Sequence, residues 1–302
     1  MARSIGIDGS ALLLVVAERD VDAVLAYDTN RGGARFARTH TARSYDARLL
    51  LSTENGETNQ LELHGLSATF PLVDRFADGS VVVVGPRSSY RPETKGEANA
   101  SIYNGRGEKI AEFAMGDGIA DVQVDPADRI WVGYFDEGVF GNFGWGEHGE
   151  ESAPMGSRGL LCFDRNGAKL WEFESPEGIG PIDDCYALNV SKLAAWVYYY
   201  SDFPFARIDL TSLEVSAWTT AGPGGGSFAT DGERVLLYFG LREGEHRVTL
   251  MKFGERTADV EREFSLALPH DDSDVVSVVG RGSALYVFTK AFLHVFSLHE
   301  IA

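Results

Sequence analysis

Three aspartates stand at comparable places in a pattern of repeated strands: Asp121, Asp184 and Asp274 each lie at or near the start of a strand-like run. If these strands line one opening, the carboxylates come close together and repel each other unless something neutralises them. Ca²⁺ takes about six to eight oxygen ligands and accepts carboxylates from separate loops. The spacing therefore predicts a site for Ca²⁺ or another divalent cation. The alternative is that each aspartate accepts hydrogen bonds from nearby amides and organises its own turn.

A long segment, residues 136–158, interrupts a repeat that needs only a short turn at this place. Loops beyond about 12 to 15 residues are usually functional or disordered, and the many aromatics in this one argue against disorder. Its aromatics, with those at comparable strand ends, are the predicted ligand contacts: Tyr134, Phe140, Phe143, Trp145, Tyr186, Tyr200 and Phe203. We expect the segment to cover the opening as a lid or to stack on a ligand. Packing on a neighbouring repeat is the alternative.

Candidate proton-transfer groups lie in the same regions. His148 is in the long segment, His270 is in a connection between repeats, and Glu137 follows shortly after Tyr134. Histidine near carboxylates can carry a proton close to neutral pH, so these residues are the candidate catalytic groups. The glycine-rich connection at 222–227 lacks the lysine and the helix of a phosphate-binding loop. No nucleotide cofactor is expected.

The elements that must position these residues are short strands, which return about every 40 to 50 residues. The clearest repeat has strands at 119–124, 129–134, 159–164 and 169–173, and the next has strands at 184–190, 194–200, 205–210 and 214–218. Regular four-strand sets joined by turns predict an all-β fold, with one β-propeller domain over residues 1–302. Six four-stranded blades are the expected number, with five or seven left open. In this architecture the interblade connections and the loops between second and third strands open at one mouth of a central channel.

The two ends of the chain are less regular. The last repeat has only three strands, at 274–279, 284–289 and 292–298, whereas the first 65 residues contain about five, at 11–17, 23–27, 34–39, 48–52 and 60–63. One spare N-terminal strand is expected to pair with the C-terminal strands and complete the last blade, because closure removes exposed sheet edges.

Two turn-and-strand segments carry a family resemblance: Asp125-Pro-Ala-Asp-Arg-Ile-Trp-Val-Gly133 and Phe163-Asp-Arg-Asn-Gly-Ala-Lys-Leu-Trp171. They resemble six-bladed propellers of the NHL and SMP-30/gluconolactonase-like kind, and the resemblance covers nearly the whole chain. It implies the fold. Enzymes of the SMP-30 kind hold a divalent metal at the channel mouth with Glu, Asn and Asp, although their glutamate motif is not found in this chain. A metal-assisted hydrolase or lyase is the activity that the resemblance implies.

The composition of the chain indicates which classes of partner to exclude. The chain has a net charge of −18, from 45 acidic and 27 basic residues, which argues against binding to nucleic acid. No run of about 18 to 20 apolar residues occurs, so no membrane association is expected. Cys162 and Cys185 lie inside apolar strand patterns, which favours buried free thiols. We expect a cytoplasmic protein.

Two functions follow from these observations. The first is a binding module that holds a small molecule or a basic peptide or protein at an acidic, aromatic-rimmed channel mouth. The second is an enzyme at the same mouth, with Asp121, Asp184 and Asp274 holding an ion and His148 or His270 transferring protons.

Overall fold

The computed structural model describes residues 2–29, 32–53, 56–222, 224–268 and 274–301. Strands contain 52% of the residues and helices 7%, so the predicted all-β class is confirmed. The chain divides into two compact units, unit 1 from Met1 to Glu172 and unit 2 from Phe173 to Ala302. No helix in the described ranges is both long and apolar enough to cross a membrane.

Unit 1 contains three four-stranded sheets and one small hairpin. Its elements are β1 (Ala2–Ile5), β2 (Ala11–Val16), α1 (Glu18–Val24), β3 (Tyr27–Thr29), β4 (Arg35–Ala37), β5 (His40–Ser52), β6 (Thr58–Ala68), β7 (Leu72–Arg75), β8 (Val81–Val84), β9 (Ala100–Tyr103), β10 (Lys109–Phe113), β11 (Ile119–Val124), β12 (Ile130–Tyr134), α2 (Asp136–Phe140), a 3₁₀ turn (Glu150–Ser152), β13 (Leu160–Phe163) and β14 (Lys169–Glu172). The sheets have the strand orders β1-β2-β5-β6, β7-β8-β9-β10 and β11-β12-β13-β14, and β3 pairs with β4. All of these pairings are antiparallel.

The turns of unit 1 are organised by aspartate side chains. Asp125 Oδ1 accepts the backbone N–H groups of Ala127 and Arg129 at 2.8 and 3.0 Å, and this fixes the turn between β11 and β12. Its Oδ2 accepts the indole N–H of Trp131 at 3.0 Å. An Asx-type turn of this kind is the reason that an Asp-Pro-Ala-Asp sequence separates two strands.

The first strands of the three sheets contact one another, β1 against β7 and β7 against β11. Asp74 on β7 is fully buried, and its Oδ2 accepts the N–H of Val124 on β11 at 2.7 Å. Apolar side chains such as Val82, Val132 and Phe163 fill the space between the second and third sheets. Unit 1 therefore has the internal arrangement of neighbouring propeller blades.

Unit 2 repeats the four-strand pattern. Its elements are β15 (Asp184–Val190), β16 (Ala194–Tyr200), β17 (Phe205–Asp209), β18 (Val215–Thr220), β19 (Ser227–Thr230), β20 (Arg234–Arg242), β21 (Glu245–Phe253), β22 (Thr257–Ser265), β23 (Val275–Arg281), β24 (Ala284–Thr289), β25 (Leu293–Ser297) and α3 (Leu298–Ile301). β15 to β18 form one antiparallel set and β19 to β22 form the next. Their outer strands, β18 and β22, meet in a short parallel pairing. β23, β24 and β25 form a three-stranded sheet.

A buried asparagine ties the first strands of unit 2 together. Asn189 on β15 donates its amide hydrogens to the carbonyls of Phe228 at 2.7 Å and Gly282 at 3.0 Å, and its Oδ1 accepts the N–H of Gly282 at 2.7 Å. The backbone of β23 also approaches β19 so closely that a Cβ on Gly280 would overlap the Phe228 carbonyl. Only glycine permits this approach.

The sequence predicted the middle of the chain well. The strands expected at 119–124, 184–190 and 194–200 have these bounds in the structure, and the neighbouring strands agree to within two residues. In the first 65 residues the prediction was partly wrong. The strand expected at 23–27 overlaps helix α1, whose first turn carries Glu18 and Asp20, acidic residues that favour a helix N-terminus. The short strand β1 was missed.

The expected completion of the last sheet by an N-terminal strand is not observed. β1 and β2 pair with each other and with β5, in the sheet of unit 1. Within the described ranges the last sheet ends at β25. The physical reason is that β1 and β2 complete the first sheet with β5 and β6, while β3 and β4 pair with each other as a separate hairpin. The one-domain interpretation stays a prediction.

We expect Asn189→Ala to lower the free energy of unfolding by about 2 kcal/mol, because the Phe228 carbonyl and the Gly282 N–H lose the Asn189 side chain as a partner, while the Gly282 carbonyl keeps the Thr230 N–H. Asn59→Ala, at an exposed residue of β6, is the control and should change it by less than about 0.5 kcal/mol. Urea denaturation curves measure both. Equal stability of the two variants would contradict a structural role for Asn189.

Candidate functional site

Three connections of unit 1 meet at one side of its sheets, as the topology predicts. They are the β8–β9 loop (85–99), the β10–β11 connection (114–118) and the β12–β13 loop (135–159). Ile119 donates its N–H to the Pro86 carbonyl at 3.0 Å, and Phe135 donates to the Gly118 carbonyl at 2.8 Å. The long segment therefore lies beside the beginning of the first strand β11.

An arginine occupies the centre of this meeting point. The buried Arg87 guanidinium binds Asp117 Oδ2 through Nη2 at 2.8 Å and binds Glu137 through Nη1. It also lies over the rings of Phe143 and Phe135, at 4.5 and 5.3 Å from their centroids. We call Arg87, Asp117 and Glu137 the arginine centre. Glu137, a predicted catalytic residue, is thus held as an ion-pair partner.

Burial raises the pKa of the Asp117 carboxyl from its ordinary value of 3.8 to about 6. The Arg87 guanidinium and the N–H of Ser88, which donates to Oδ1 at 2.8 Å, oppose this increase. Both oxygens of Asp117 are therefore engaged, and the side chain is closed to solvent. Asp117 thus ties the loops together and offers a substrate no free carboxylate oxygen.

Two of the predicted ligand contacts are core residues, which corrects the prediction. Tyr134 is fully buried and donates its hydroxyl hydrogen to the Met115 carbonyl at 2.6 Å. Trp145 is buried against Tyr90, with ring centroids 5.2 Å apart, and its indole N–H donates to the Ser88 carbonyl at 2.9 Å. The Trp145 ring packs the 135–159 loop onto the 85–99 loop, and the Tyr134 hydroxyl binds the 114–118 connection. This is the packing alternative that the sequence left open.

The other predicted residues of this segment have different environments. Phe140 is exposed, and Phe143 is half-buried below the Arg87 guanidinium. His148 is exposed, with its ring centroid 6.0 Å from that of Tyr90. His270 lies outside the described residues.

Unit 2 carries an exposed group of three aromatic rings. Tyr186 on β15 and Tyr200 at the end of β16 are 41% and 48% exposed. The Phe203 ring lies against both, with centroid distances of 5.2 Å to Tyr186 and 5.6 Å to Tyr200 and interplanar angles of 84° and 60°. We call these three residues the aromatic platform. All three were predicted as ligand contacts from their places at strand ends.

The connection between β18 and β19 supports the platform from one side. A Cβ on Gly224 would come within 2.9 Å of the Tyr186 ring and 3.0 Å of the Phe203 ring. Tyr198 stacks on Phe203 at 5.7 Å from below and is itself fully buried. The glycine-rich connection thus serves close packing against aromatic rings.

Carboxylates surround the platform in the chain. Asp184 is the strand partner of Tyr200, and Asp183 donates its N–H to the Tyr200 carbonyl at 2.8 Å. Asp183 Oδ2 accepts the hydroxyl hydrogen of Ser201 at 3.1 Å. Asp202 is exposed and adjoins Phe203. Three acidic residues therefore accompany three aromatic rings.

Two of the predicted metal ligands have hydrogen-bond or ion-pair partners inside their own unit. Asp121 accepts the N–H of the next residue, Val122, at 2.7 Å, and Asp274 pairs with Lys290 at 2.7 Å. No group of three or more His, Cys, Asp or Glu side chains within the described ranges is placed to hold a metal ion. Calcium binding stays a prediction, which melting curves with and without Ca²⁺ would test.

The sequence missed Arg87, although a signal was present. Arg87 directly follows Gly85 and Pro86, near the beginning of the loop between the second and third strands of its sheet. The topological rule that drew attention to residues 136–158 applies equally to residues 85–99. Its ion-pair partners are distant in sequence, so no local pattern indicates them.

Comparisons of sequence give limited matches. The YxzG family matches residues 156–231, which are 76 of the 302 residues. No curated protein matches the chain.

Comparisons of structure give wide coverage at low identity. A chain of the mitotic checkpoint complex has a TM-score of 0.50 and 7% identity, over 98% of this chain and 86% of that chain. A catalytically inactive virginiamycin B lyase from Staphylococcus aureus, with quinupristin, has a TM-score of 0.49 and 8% identity, over 97% and 92%. The Pan2 WD40 domain of Neurospora crassa has a TM-score of 0.47 and 12% identity, over 99% and 75%. The four-stranded sheets and the first of these similarities show the β-propeller fold and nothing of function.

We expect the pH dependence of stability to depend on Asp117. Because its pKa is raised in the folded state, its contribution is full below about pH 4 and is lost as the pH rises through about 6. A shift of this size corresponds to about 3 kcal/mol at most. The melting temperature of the wild type, relative to Asp117→Asn, should therefore fall between pH 4 and pH 7.

The exposed Asp136 in the same segment provides the control. The melting temperature of Asp136→Asn should follow the wild-type pH dependence. Parallel curves for the wild type and Asp117→Asn would show that Asp117 is not the group that titrates.

Proposed function

We propose that this protein is a binding propeller that holds a positively charged partner, such as a basic peptide, on the aromatic platform of unit 2. The observation that carries the proposal is the exposure of Tyr186 and Tyr200 around Phe203, next to Asp183, Asp184 and Asp202.

The platform has features that favour a ligand. Large aromatic rings supply contact area with little loss of side-chain entropy, and they gain free energy when a partner removes them from water. The rings lie at the ends of β15 and β16 and beside the β18–β19 connection, where the topology gathers the loops of unit 2. A propeller presents its binding residues on such loops, because the strands hold them in place.

Charge favours a basic partner. The net charge of −18 attracts cations over a distance of about one Debye length and increases association rates. The carboxylates beside the platform provide this attraction locally. Binding surfaces commonly have aromatic rings at the centre, which supply contact area, and charged residues at the edge, which attract the partner.

The enzymatic alternative, a metal-assisted hydrolase or lyase, has less support. Glu137 binds Arg87, and Asp117 is closed to solvent. His148 contacts the Tyr90 ring and Ser152, and it forms no ion pair with a carboxylate in the described residues. The platform contains no group placed as a nucleophile with an adjacent base. Binding needs no such group.

The blade number belongs to the same proposal. Unit 1 contributes three four-stranded sheets, and unit 2 contributes two four-stranded sets and one three-stranded sheet. We take each as one blade, which gives six, the number in propellers of the NHL and SMP-30 kind.

The test is calorimetric titration of a short, terminally blocked peptide of alternating arginine and leucine, at about 0.15 M salt. We expect it to bind, and Tyr186→Ala and Tyr200→Ala each to weaken binding about tenfold, or about 1.4 kcal/mol. Gly224→Ala should also weaken it, because the new methyl group displaces the Tyr186 and Phe203 rings.

Two controls make the result specific. A glutamate-leucine peptide of the same length should not bind. Tyr27→Ala in unit 1 removes a tyrosine of the same exposure, 41%, and should leave the affinity unchanged. The proposal fails if the arginine peptide does not bind, or if Tyr27→Ala weakens binding as much as Tyr200→Ala.

A further inference from the structure

We propose that the aromatic platform recognises the quaternary ammonium group of an organic cation, by contact between the cation and the ring faces. This inference rests on the proposed function and names the chemical class of its ligand. It is argued from the mutual angles of the rings, from the absence of a chain cation over them in the described residues, and from the acidic residues next to them in the chain.

The Phe203 ring is inclined to both tyrosine rings. Tyr186 is nearly perpendicular to Phe203, at 84°, and Tyr200 is inclined to it at 60°. A cation attracted to aromatic quadrupoles lies over ring faces, within about 6 Å of their centroids. Inclined rings present faces in several directions, whereas parallel stacked rings would hide them.

The backbone that carries the Phe203 ring has an unusual conformation. Phe203 and its neighbour Asp202 have φ values of 51° and 67°, in the left-handed region that glycine and asparagine favour in tight hairpins. A phenylalanine in this conformation is strained. Its ring is only half-buried, so core packing alone does not account for it. The strain places an aromatic ring between two exposed tyrosines.

Two other rings, one exposed and one half-buried, already carry a cation from the chain, whereas the exposed Phe140 and Phe292 carry none from the described residues. The Arg35 guanidinium lies 4.4 Å from the centroid of Tyr27, and the Arg262 guanidinium lies 4.6 Å from that of Phe264. Within the described part of the chain, no Arg or Lys lies over Tyr186, Tyr200 or Phe203. The protein thus forms cation–π contacts elsewhere and leaves these three rings, beside three carboxylates, open to an external cation.

The ring faces favour a cation that donates no hydrogen bonds. Asp183, Asp184 and the exposed Asp202 supply negative potential beside the rings, and Asp183 Oδ2 accepts the Ser201 hydroxyl hydrogen. A primary ammonium loses strong hydration when it lies over aromatic rings, whereas a quaternary ammonium is weakly hydrated and loses little.

The experiment compares choline with 3,3-dimethylbutan-1-ol, which has the same shape and no charge. Each is titrated into the whole chain at about 0.15 M salt, with chemical shifts or heat as the signal. We expect choline to bind about tenfold more tightly than the neutral alcohol. Tyr200→Leu and Tyr186→Leu, which keep apolar bulk and remove the ring, should abolish this preference.

Matched variants distinguish the contribution of the aromatic ring from that of the hydroxyl group and from effects of substitution elsewhere. Tyr200→Phe keeps the ring and loses the hydroxyl, so it should retain the preference for choline. Tyr27→Leu should also retain it. Circular dichroism checks that each variant is folded, and Tyr200, as an exposed side chain, is a tolerant place for substitution.

The outcomes distinguish this inference from the function on which it rests. Equal binding of choline and the neutral alcohol, or a preference that survives both leucine substitutions, overturns the inference. If the arginine peptide still binds and depends on Tyr186 and Tyr200, the proposed function stands and only the ligand class is wrong. If neither choline nor the peptide binds the wild type, both fail.

Discussion

The sheets within each unit depend on contacts that backbone pairing alone does not supply. Inside a sheet the antiparallel ladder satisfies the backbone, but neighbouring sheets have nearly no ladder in common, and unit 2 has only the short pairing of β18 with β22. Their first strands are joined instead by buried polar side chains, Asp74 in unit 1 and Asn189 in unit 2. A buried polar group is costly unless it is satisfied, so these residues specify one register between sheets.

Because the strands fix the sheets, the connections are free to differ, and they differ between the units. In unit 1 the 85–99 and 135–159 loops enclose Arg87, whose charge is compensated by Asp117 and Glu137. The aromatics of this region therefore pack the loops together. In unit 2 the connections are short, and Tyr186 and Tyr200 remain exposed. Similar sheets thus carry loops that pack their aromatic residues in unit 1 and connections that leave aromatic residues exposed in unit 2.

Local patterns predicted what depends on local physics. Alternation and Asp-rich turns located the strands from 119 to 220 closely, and strand ends located Tyr186, Tyr200 and Phe203. Helix α1 was missed, and the long strand β5 was predicted only over residues 48–52, because tertiary packing decides the structure of an ambiguous short run. The prediction of which aromatics are exposed was less accurate. Tyr134 and Trp145 were expected to contact a ligand, but they are buried, because they bind the Met115 and Ser88 carbonyls, which are distant in sequence.

This error explains why aromatic density alone is a poor guide to a site. The 136–158 segment is rich in aromatics because a long excursion of chain needs its own small core, and Trp145 provides it through Tyr90 and the Ser88 carbonyl. Phe143 serves the same purpose by covering Arg87. Such rings are already satisfied by the chain. The platform rings differ because Phe203 contacts both tyrosines and still leaves Tyr186 and Tyr200 41% and 48% exposed. Exposure that remains after packing, and not aromatic density, is therefore what distinguishes a candidate binding surface from the small core of a loop.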